Sequence, residues 1–309
     1  MNYKLAREID EYVKNKGYRL INSIVLYKDK ELITERYYNK YDENSRNNIK
    51  SIWKSILSIC VGICLDLGHI KSLDEPISTY LPMFGANNHP YHKYITIHHL
   101  LTMTSGIYWN GGVHYHCPMM SQLMRSRDWL SHLVDIQMSE VPGAKYVYKE
   151  WDVILLSALI SKATGRNTYD FCDQYLYKPL EIVSDPWWTS ASGVTYNIAD
   201  SEAAQAKSDL SARDLAKLGF LFLNGGKYEG RQILSAKYVT QAITPSEQNA
   251  GYGLLWWVGD DWYGCRGYGG QEITVIPKQR LVYVIQATAT ASSKSYGDVF
   301  GEILRIISN

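Results

Sequence analysis

Apolar residues recur at helical spacing near both ends of the chain. The segment Leu5–Lys16 carries apolar side chains three or four positions apart and stops at Gly17. Tyr296–Ile307 carries a similar apolar stripe. Residues with this spacing share one face of a helix, so the pattern predicts a first helix and a closing helix that packs beside it.

Segments rich in β-branched and aromatic residues predict strands in two parts of the chain. Asn22–Lys28 and Glu31–Tyr38 surround Lys28-Asp29-Lys30, which is interpreted as a hairpin turn although it lacks the glycine that favours such turns. Nearer the carboxyl terminus, Gly and a Pro-Lys-Gln sequence separate three further predicted strands: Tyr252–Val258, Gly267–Ile276 and Leu281–Ala287.

The middle of the chain has the apolar spacing of helices. The segments with this spacing are Ser51–Leu67, His98–Met103, Trp129–Ile136, Val153–Ala163, Tyr169–Tyr175 and Ala212–Leu223. We therefore expect an α/β protein in which an antiparallel sheet is flanked by the N- and C-terminal helices and interrupted by an inserted all-α lobe. Residues 1–50 and 241–309 are predicted to form the sheet lobe and residues 51–240 the helical lobe, within one continuous domain.

The composition limits the classes of partner. The chain has 309 residues, 46% of them hydrophobic, and a formal net charge of +1. This charge does not attract nucleic acid or an anionic membrane surface. The first residues lack the apolar run of a secretory signal, and the five cysteines form an odd, scattered set. These features favour a cytoplasmic protein without disulfides.

A serine and a lysine lie one helical turn apart at the predicted start of a helix. Ser51 follows the polar segment Asn44–Lys50 and precedes an apolar run, and Lys54 is three residues further on. A serine hydroxyl needs a base to become a good nucleophile, and a partly buried lysine serves as one. The main-chain N–H of Ser51, at the helix start, is placed to donate to a developing oxyanion.

Several long segments, in order, resemble the serine β-lactamase-related family. That family includes class C β-lactamases, D-Ala-D-Ala carboxypeptidases, D-aminopeptidases, carboxylesterases and 6-aminohexanoate-dimer hydrolases. The segments are Ser51–Pro82 (SIWKSILSICVGICLDLGHIKSLDEPISTYLP), Ile95–Ile107, Val141–Gly165, Ser211–Ser235, and GYGLLWWV and RGYGGQ near the carboxyl terminus. The resemblance covers nearly the whole chain from Ser51 onward and implies a β-lactamase/transpeptidase-like fold.

The family's second motif is Tyr-x-Asn, and the matching residues here are Tyr148, Lys149 and Glu150. The resemblance implies that Tyr148 faces the nucleophile and relays a proton to the leaving group. Glu150 replaces the asparagine. Either its carboxylate favours a charged Lys54 and repels anionic substrates, or it turns to solvent while Asp152 caps the following helix.

The family's third motif, Lys/His-Thr/Gly-Gly on the strand beside the site, is matched by Gly267-Tyr268-Gly269-Gly270-Gln271. The glycines are expected to let substrate approach the strand edge. The resemblance places the second oxyanion donor at the main-chain N–H of Gln271. Tyr268 occupies the position of a cation that helps to hold a substrate carboxylate, which argues against efficient turnover of β-lactams or D-Ala-D-Ala peptides unless Arg266 supplies the charge.

Other notable residues have simpler explanations. A metal site built from His114, His116 and Cys117 is weakly supported, because the spacing is not that of a typical zinc site. Trp109 is expected in an aromatic wall of the substrate pocket, although most aromatic residues belong to the core. Cys60 and Cys64 are interpreted as buried small hydrophobic residues rather than a redox pair.

The expected function is a serine hydrolase that acts on a small ester, amide or peptide through an acyl-enzyme on Ser51. No metal or organic cofactor is implied, the oligomeric state is not predicted, and neither nucleic acid nor membrane is an expected partner. One alternative is an acyltransferase that uses the same acyl-serine. Another is a non-catalytic, penicillin-binding-like sensor, which the changes at Glu150 and Tyr268 make conceivable.

Overall fold

A computed structural model describes residues 2–86, 89–111, 118–197, 208–290 and 294–307. Its α-helices are α1 Tyr3–Asn15, α2 Ile52–Asp66, α3 Met83–Ala86, α4 Ile97–Leu101, α5 Pro118–Arg125, α6 Trp129–Val134, α7 Glu150–Thr164, α8 Thr168–Cys172, α9 Ala212–Leu223, α10 Ala236–Ala242 and α11 Gly297–Ile307. A π-helical turn, Asp173–Tyr177, continues α8. Short 3-10 helices lie at Ile77–Thr79, His92–Tyr94 and Pro277–Gln279.

Six strands form one antiparallel sheet. The strands of the described chain are β1 Ile21–Lys28, β2 Glu31–Tyr37, β3 Arg46–Asn48, β4 Asp209–Ser211, β5 Lys227–Tyr228, β6 Arg231–Gln232, β7 Trp257–Val258, β8 Tyr263–Gly267, β9 Gln271–Ile276 and β10 Leu281–Ala287. The sheet order is β2-β1-β10-β9-β8-β7, so the first strand, β1, pairs with the last one, β10. The predicted antiparallel sheet is therefore confirmed.

The glycine-free hairpin turn is confirmed. Asp29 and Lys30 take up left-handed backbone conformations, with φ of 51° and 69°. A two-residue turn between right-twisted strands requires positive φ at both positions, and aspartate tolerates that region better than most residues. Lys30 also adopts a positive φ, although it lacks the conformational freedom of glycine.

Two of the predicted strands differ from the structure. Only Trp257–Val258 of the predicted strand Tyr252–Val258 pairs with a neighbour in the sheet. Of the predicted strand Gly267–Ile276, only Gln271–Ile276 forms a continuous strand, β9, because Gly267 ends β8 and the chain turns over at residues 268–270. Gly269 and Gly270 have φ of 80° and 91°, a conformation that ends a strand and reverses the chain.

The terminal helices pack together on one face of the sheet, as predicted. The hydroxyls of Tyr12 in α1 and of Tyr18 just after it both donate to the Asp298 carboxylate in α11, at 3.0 and 2.7 Å. Alternate residues of β1 supply the core below them: Ile24 and Leu26 are fully buried in this cluster. This is the two-residue periodicity of a strand that is covered on both faces.

The other face of the sheet carries the larger core. Val25 of β1 belongs to it, together with α2, α7 and α9. Helix α9 lies directly on β1, β9 and β10, and Gly219 makes this possible, since a Cβ there would come within 2.6 Å of Val282. The exact boundaries of the sheet lobe and the helical lobe stay a prediction.

The described residues contain no helix that is both long enough and apolar enough to cross a bilayer. Two small sheets lie outside the main one: β3 pairs with β4, and β5 with β6. The sequence analysis predicted neither pair. Strand β3 matters for the site, because it leads directly into the start of α2.

Candidate active site

The structure places the Ser51 and Lys54 side chains together at the start of α2. Ser51 is the N-cap residue, but its hydroxyl does not cap the helix. It instead accepts a hydrogen bond from the Lys54 ammonium, with 3.2 Å between Nζ and Oγ. Ser51 is half-buried, whereas only 2% of Lys54 is exposed. The hydroxyl therefore remains reachable while the amine is held away from water.

The main-chain N–H of Ser51 is available for a substrate. Among the described residues, it donates no hydrogen bond to a protein acceptor. It also lies at the positive end of the α2 dipole. The preceding residue, Lys50, is buried and has a φ of 51°, an uncommon conformation for a residue with a side chain. The serine thus follows a strained backbone position, a feature that recurs at functional sites.

Tyr148 lies beside Ser51 and Lys54. The Lys54 Nζ is 5.2 Å from the centre of its ring. Burial raises the pKa of the Tyr148 phenol, and Glu150 raises it further, whereas contacts with Lys54 and Ser51 lower it by less. The net direction is upward, so the group is a neutral phenol near neutral pH and a proton donor.

Glu150, the first residue of α7, turns into the protein. It is 4% exposed, and its Oε1 lies 2.6 Å from Lys54 Nζ. Its other carboxylate oxygen, Oε2, accepts a hydrogen bond from the Tyr196 hydroxyl. The alternative in which Glu150 points to solvent is therefore wrong. The structure agrees with the other expectation, in which the Glu150 carboxylate contacts Lys54 and favours its charged form.

A second buried cluster lies at the same end of α7. Lys149, the N-cap residue, donates to the Ser105 hydroxyl at 3.1 Å, and Ser105 donates to Asp152. All three residues are at most 1% exposed. Asp152 is thus bound to the loop after α4 and does not cap α7 through its side chain, contrary to the expectation. Burial raises its pKa to about 6, against the opposing effects of Lys149 and Ser105.

The turn between β8 and β9 is adjacent to the nucleophile. A Cβ on Gly267 would lie 2.5 Å from the Ile49 carbonyl oxygen, so this strand end packs directly on the chain that leads into Ser51. Its cross-strand partner is Gln271. The Gln271 side chain does not face Ser51: it accepts from Asn47 at 2.8 Å and donates to the Ala287 carbonyl at 2.5 Å. Only the main chain of Gln271 remains for an oxyanion role.

Tyr268 begins the turn, and its hydroxyl donates to the Thr290 carbonyl at 3.0 Å. Gly270 is required sterically, because a Cβ there would come within 2.3 Å of the Tyr296 ring. Gly269 is buried. The turn is therefore held against the segment that follows β10, and Gly270 could not be replaced without displacing it, whereas Gly269 is favoured by its φ of 80°.

Arg266 does not supply the cation that Tyr268 lacks. Cys265, its neighbour in β8, contacts Ser55 of α2, and successive residues of a strand point to opposite faces of the sheet. The Arg266 guanidinium accordingly lies over the Trp262 ring, at 4.7 Å, and 3.3 Å from Glu272. The expectation that Arg266 supplies the missing charge at the site is therefore wrong.

Trp109 packs edge-on against Trp151, with 4.7 Å between the ring centres. Trp151 follows Glu150 in α7, and Trp109 itself is half-buried; its place in the substrate pocket stays a prediction. Tyr148 stacks with Trp257 at 6.2 Å. These rings give the region an apolar character, whereas Trp187 and Trp256 belong to the core.

The remaining candidates are structural or lie outside the described residues. Cys60 and Cys64 are fully buried, as the simpler explanation required. His99 forms a capping box with Thr96 at the start of α4. His114, His116 and Cys117 lie outside the described residues. In the described ranges, no group of three or more metal-ligating side chains is assembled.

Sequence reasoning missed Tyr196, the Lys149–Ser105 contact and Asn47. Tyr196 lies 46 residues after Glu150 in the chain, and Asn47 lies 224 residues before Gln271. Neither residue belongs to a spacing pattern or a motif. The one available signal was local: Lys149 and Asp152 flank Glu150 at a helix start, where buried charges require partners.

Comparison with known proteins identifies the family. Residues 5–305, nearly the whole chain, match the family model described as Beta-lactamase. The chain belongs to the beta-lactamase family. Its family membership and its fold are thus as the resemblance implied.

Named relatives of the chain support hydrolase activity of the beta-lactamase type. The chain is 19% identical to the 6-aminohexanoate-dimer hydrolase of Paenarthrobacter ureafaciens, over 85% of this chain and 71% of that protein. It is 28% identical to esterase EstB of Burkholderia gladioli, over 50% of this chain and 42% of EstB. The penicillin binding protein from Bacillus halodurans has the same fold, with a TM-score of 0.75 at 18% identity, covering 96% of this chain and 99% of that one.

Proposed function

We propose that this protein hydrolyses uncharged esters through an acyl-enzyme on Ser51, with amides as a secondary class. The observation that carries the proposal is the 3.2 Å contact between the buried Lys54 amine and the half-exposed Ser51 hydroxyl. A serine with a base at this distance, at the start of a helix, fits the requirements of an activated nucleophile. The hydrolases and the esterase among the relatives support the same reaction class.

Each step has a candidate group. Ser51 Oγ attacks the substrate carbonyl while Lys54 accepts its proton. The main-chain N–H groups of Ser51 and, by resemblance, Gln271 hold the oxyanion. Tyr148, a neutral phenol because burial raises its pKa, protonates the leaving group. Water then attacks the acyl group and releases Ser51.

The charges around the site favour a substrate without a carboxylate. The family cation is replaced by Tyr268, whose hydroxyl is bound to Thr290, and Arg266 lies on the opposite face of the sheet. The Lys54 charge is balanced by Glu150 at 2.6 Å. An anionic substrate would therefore approach a carboxylate without a compensating cation from these residues. The aromatic side chains of Trp109, Tyr148 and Trp257 favour a hydrophobic acyl or alcohol group.

A labelling experiment tests the proposal. The protein is treated with a fluorophosphonate, the adduct is located by mass spectrometry, and rates are measured on p-nitrophenyl esters and β-lactams. We expect an adduct on Ser51, faster hydrolysis of esters than of β-lactams, and loss of both adduct and turnover in Lys54→Ala. Ser105 serves as the internal control and should stay unlabelled.

Three results would contradict the proposal. They are an adduct elsewhere, full activity without Lys54, or binding of esters without any turnover, which would favour the sensor alternative. Adding an alcohol acceptor and analysing products separates hydrolysis from acyl transfer.

A further inference from the structure

Lys54 lies between a nucleophile and a carboxylate. Its Nζ is 3.2 Å from Ser51 Oγ on one side and 2.6 Å from Glu150 Oε1 on the other. Lys54 and Glu150 are 2% and 4% exposed. The three side chains thus form a continuous hydrogen-bonded chain from the half-exposed hydroxyl to a buried carboxylate, at the position where the resemblance predicts a neutral asparagine.

This arrangement creates a chemical requirement for the proposed acylation. A carboxylate in contact favours the protonated form of a lysine, and an ammonium group cannot accept another proton. Lys54 can therefore take the Ser51 proton only if one of its own protons leaves at the same stage. In a site shielded from water, the adjacent carboxylate is a suitable acceptor, because Lys54 then stays an ammonium after it takes the Ser51 proton, and the negative charge moves from the buried Glu150 to the oxyanion that the main-chain N–H groups hold.

We propose that Glu150 is the final acceptor of the Ser51 proton and that Lys54 conducts it. This inference rests on the proposed function. Ser51 Oγ forms a bond to the carbonyl carbon while its proton moves to Lys54 Nζ, and Lys54 passes one proton to Glu150 Oε1. The products of this step are a tetrahedral oxyanion, a Lys54 that is still an ammonium, and a neutral Glu150 carboxylic acid.

The second half of the cycle returns the proton. When the bond from carbon to the leaving oxygen breaks, that oxygen takes a proton from the Tyr148 phenol. Lys54 gives a proton back to Tyr148 and receives one from Glu150, which becomes a carboxylate again. The sum is an ester converted to an acyl-serine and a free alcohol, with no proton gained or lost.

Tyr196 is the positioning residue of this relay. Its hydroxyl donates to Glu150 Oε2 and so orients the carboxylate with Oε1 towards Lys54. The Tyr196 ring is itself fixed edge-on against Trp53 of α2, with 5.2 Å between centres. The tyrosine therefore ties the carboxylate to the same helix that carries the nucleophile and the lysine.

The groups that face Glu150 come from four parts of the chain. Lys54 belongs to α2 and Tyr148 precedes α7. Tyr196 lies in the segment that follows the π-helical turn Asp173–Tyr177, and Tyr252 follows α10. Burial raises the pKa of Tyr148, and raises that of Tyr252 well above its ordinary value, so both are neutral at working pH. Of these four groups, Lys54 is the one with which Glu150 exchanges protons in the proposed relay.

The test is the pH dependence of kcat/KM for an ester in Glu150→Gln and Glu150→Asn. Without the carboxylate, Lys54 must lose a proton to solvent before it can accept that of Ser51. We expect the acidic limb of the profile to move to higher pH by about one unit or more and the rate at pH 7 to fall at least about tenfold, with recovery at alkaline pH. Asp152→Asn is the matched control, since it removes a buried carboxylate two residues away and should leave the limb in place.

Two results would overturn the relay. They are an unchanged acidic limb in Glu150→Gln, or equal or greater activity at pH 7 in either variant, which would make Glu150 a fixed counter-charge only. If these variants do not fold, Glu150→Asp is the deciding variant. It keeps a carboxylate, so the acidic limb of its pH profile must stay where it is in wild type while kcat falls. Failure of wild type to label at Ser51 would instead refute the proposed function, so the two failures are distinguishable.

Discussion

Two clusters of the same composition lie side by side at the start of α7. One contains Ser51, Lys54 and Glu150, and the other contains Ser105, Lys149 and Asp152. Both have a lysine in contact with a serine and near a carboxylate, and both lysines are buried. Both serines accept a hydrogen bond from their lysine, but Ser51 is half-exposed, whereas Ser105 is fully buried and donates its own proton to Asp152.

The difference shows what makes a serine a candidate nucleophile. The Ser105 hydroxyl has no route to a substrate, and its proton is already held by a carboxylate. Ser51 has an accessible hydroxyl, a lysine in contact and an N–H at a helix start. Residue type alone would not separate the clusters, whereas exposure of the serine and the hydrogen bond from Ser105 to Asp152 do. The second cluster instead joins the loop after α4 to α7 and so supports Tyr148 and Glu150.

The largest predicted effect distinguishes the two serines. Ser51→Ala should lower kcat on a p-nitrophenyl ester by at least about 10³-fold, because removal of a nucleophile eliminates the acyl-enzyme route. Ser105→Ala should stay within a few-fold of wild type per folded molecule. Steady-state kinetics with titrated folded protein measures both. Comparable losses in the two variants would mean that the clusters are not functionally distinct.

The second prediction compares the two lysines. Lys149→Met should reduce the free energy of unfolding by about 3 kcal/mol or more, because Asp152 is left buried without its cation. Lys54→Met leaves Glu150 in the same situation and should cost a similar amount. Only Lys54→Met should abolish turnover, however. Urea unfolding and ester kinetics on both variants check this, and an inactive but well-folded Lys149→Met would refute the structural role of the second cluster.

The third prediction concerns pH and the second cluster. Burial raises the pKa of Asp152 from its ordinary value to about 6. The folded chain therefore binds this proton more tightly than the unfolded chain, so the contribution of Asp152 to stability falls as the pH rises from about 4 to 6 and is constant above that. Relative to Asp152→Asn, wild type should lose up to about 3 kcal/mol across this range. Urea unfolding at several pH values measures the slope, and parallel curves would show that Asp152 does not titrate there.

Local features of the sequence were sufficient to predict much of the fold. The helix Ala212–Leu223 and the strand Leu281–Ala287 have the predicted bounds, because each is a regular apolar pattern between clear breaks. The Ser51 and Lys54 pair was predictable for the same reason, since both residues belong to one helical turn. The resemblance added Tyr148 and the motif at residues 268–270, although it placed that motif on a strand and the structure has it in a turn.

Contacts between distant segments could not be predicted in this way. The direction of the Glu150 side chain depends on Tyr196, and the orientation of Gln271 depends on Asn47. Strand β8 and its hairpin with β9 were missed because Tyr263–Gly267 is short and contains two glycines and Arg266, so it lacks the regular apolar pattern of a strand. Arg266 was misassigned for a simple reason: one step along a strand moves a side chain to the other face.

Gly267 determines how closely the sheet approaches the start of α2. Because even a methyl group would collide with the Ile49 carbonyl oxygen, two segments more than 200 residues apart in the chain meet backbone to backbone there. Displacements of about 1 Å are enough to impair acyl transfer. The absence of a side chain at Gly267 thus sets the distance between the β8–β9 turn and Ser51, and the reacting carbonyl group of a substrate must bind between them.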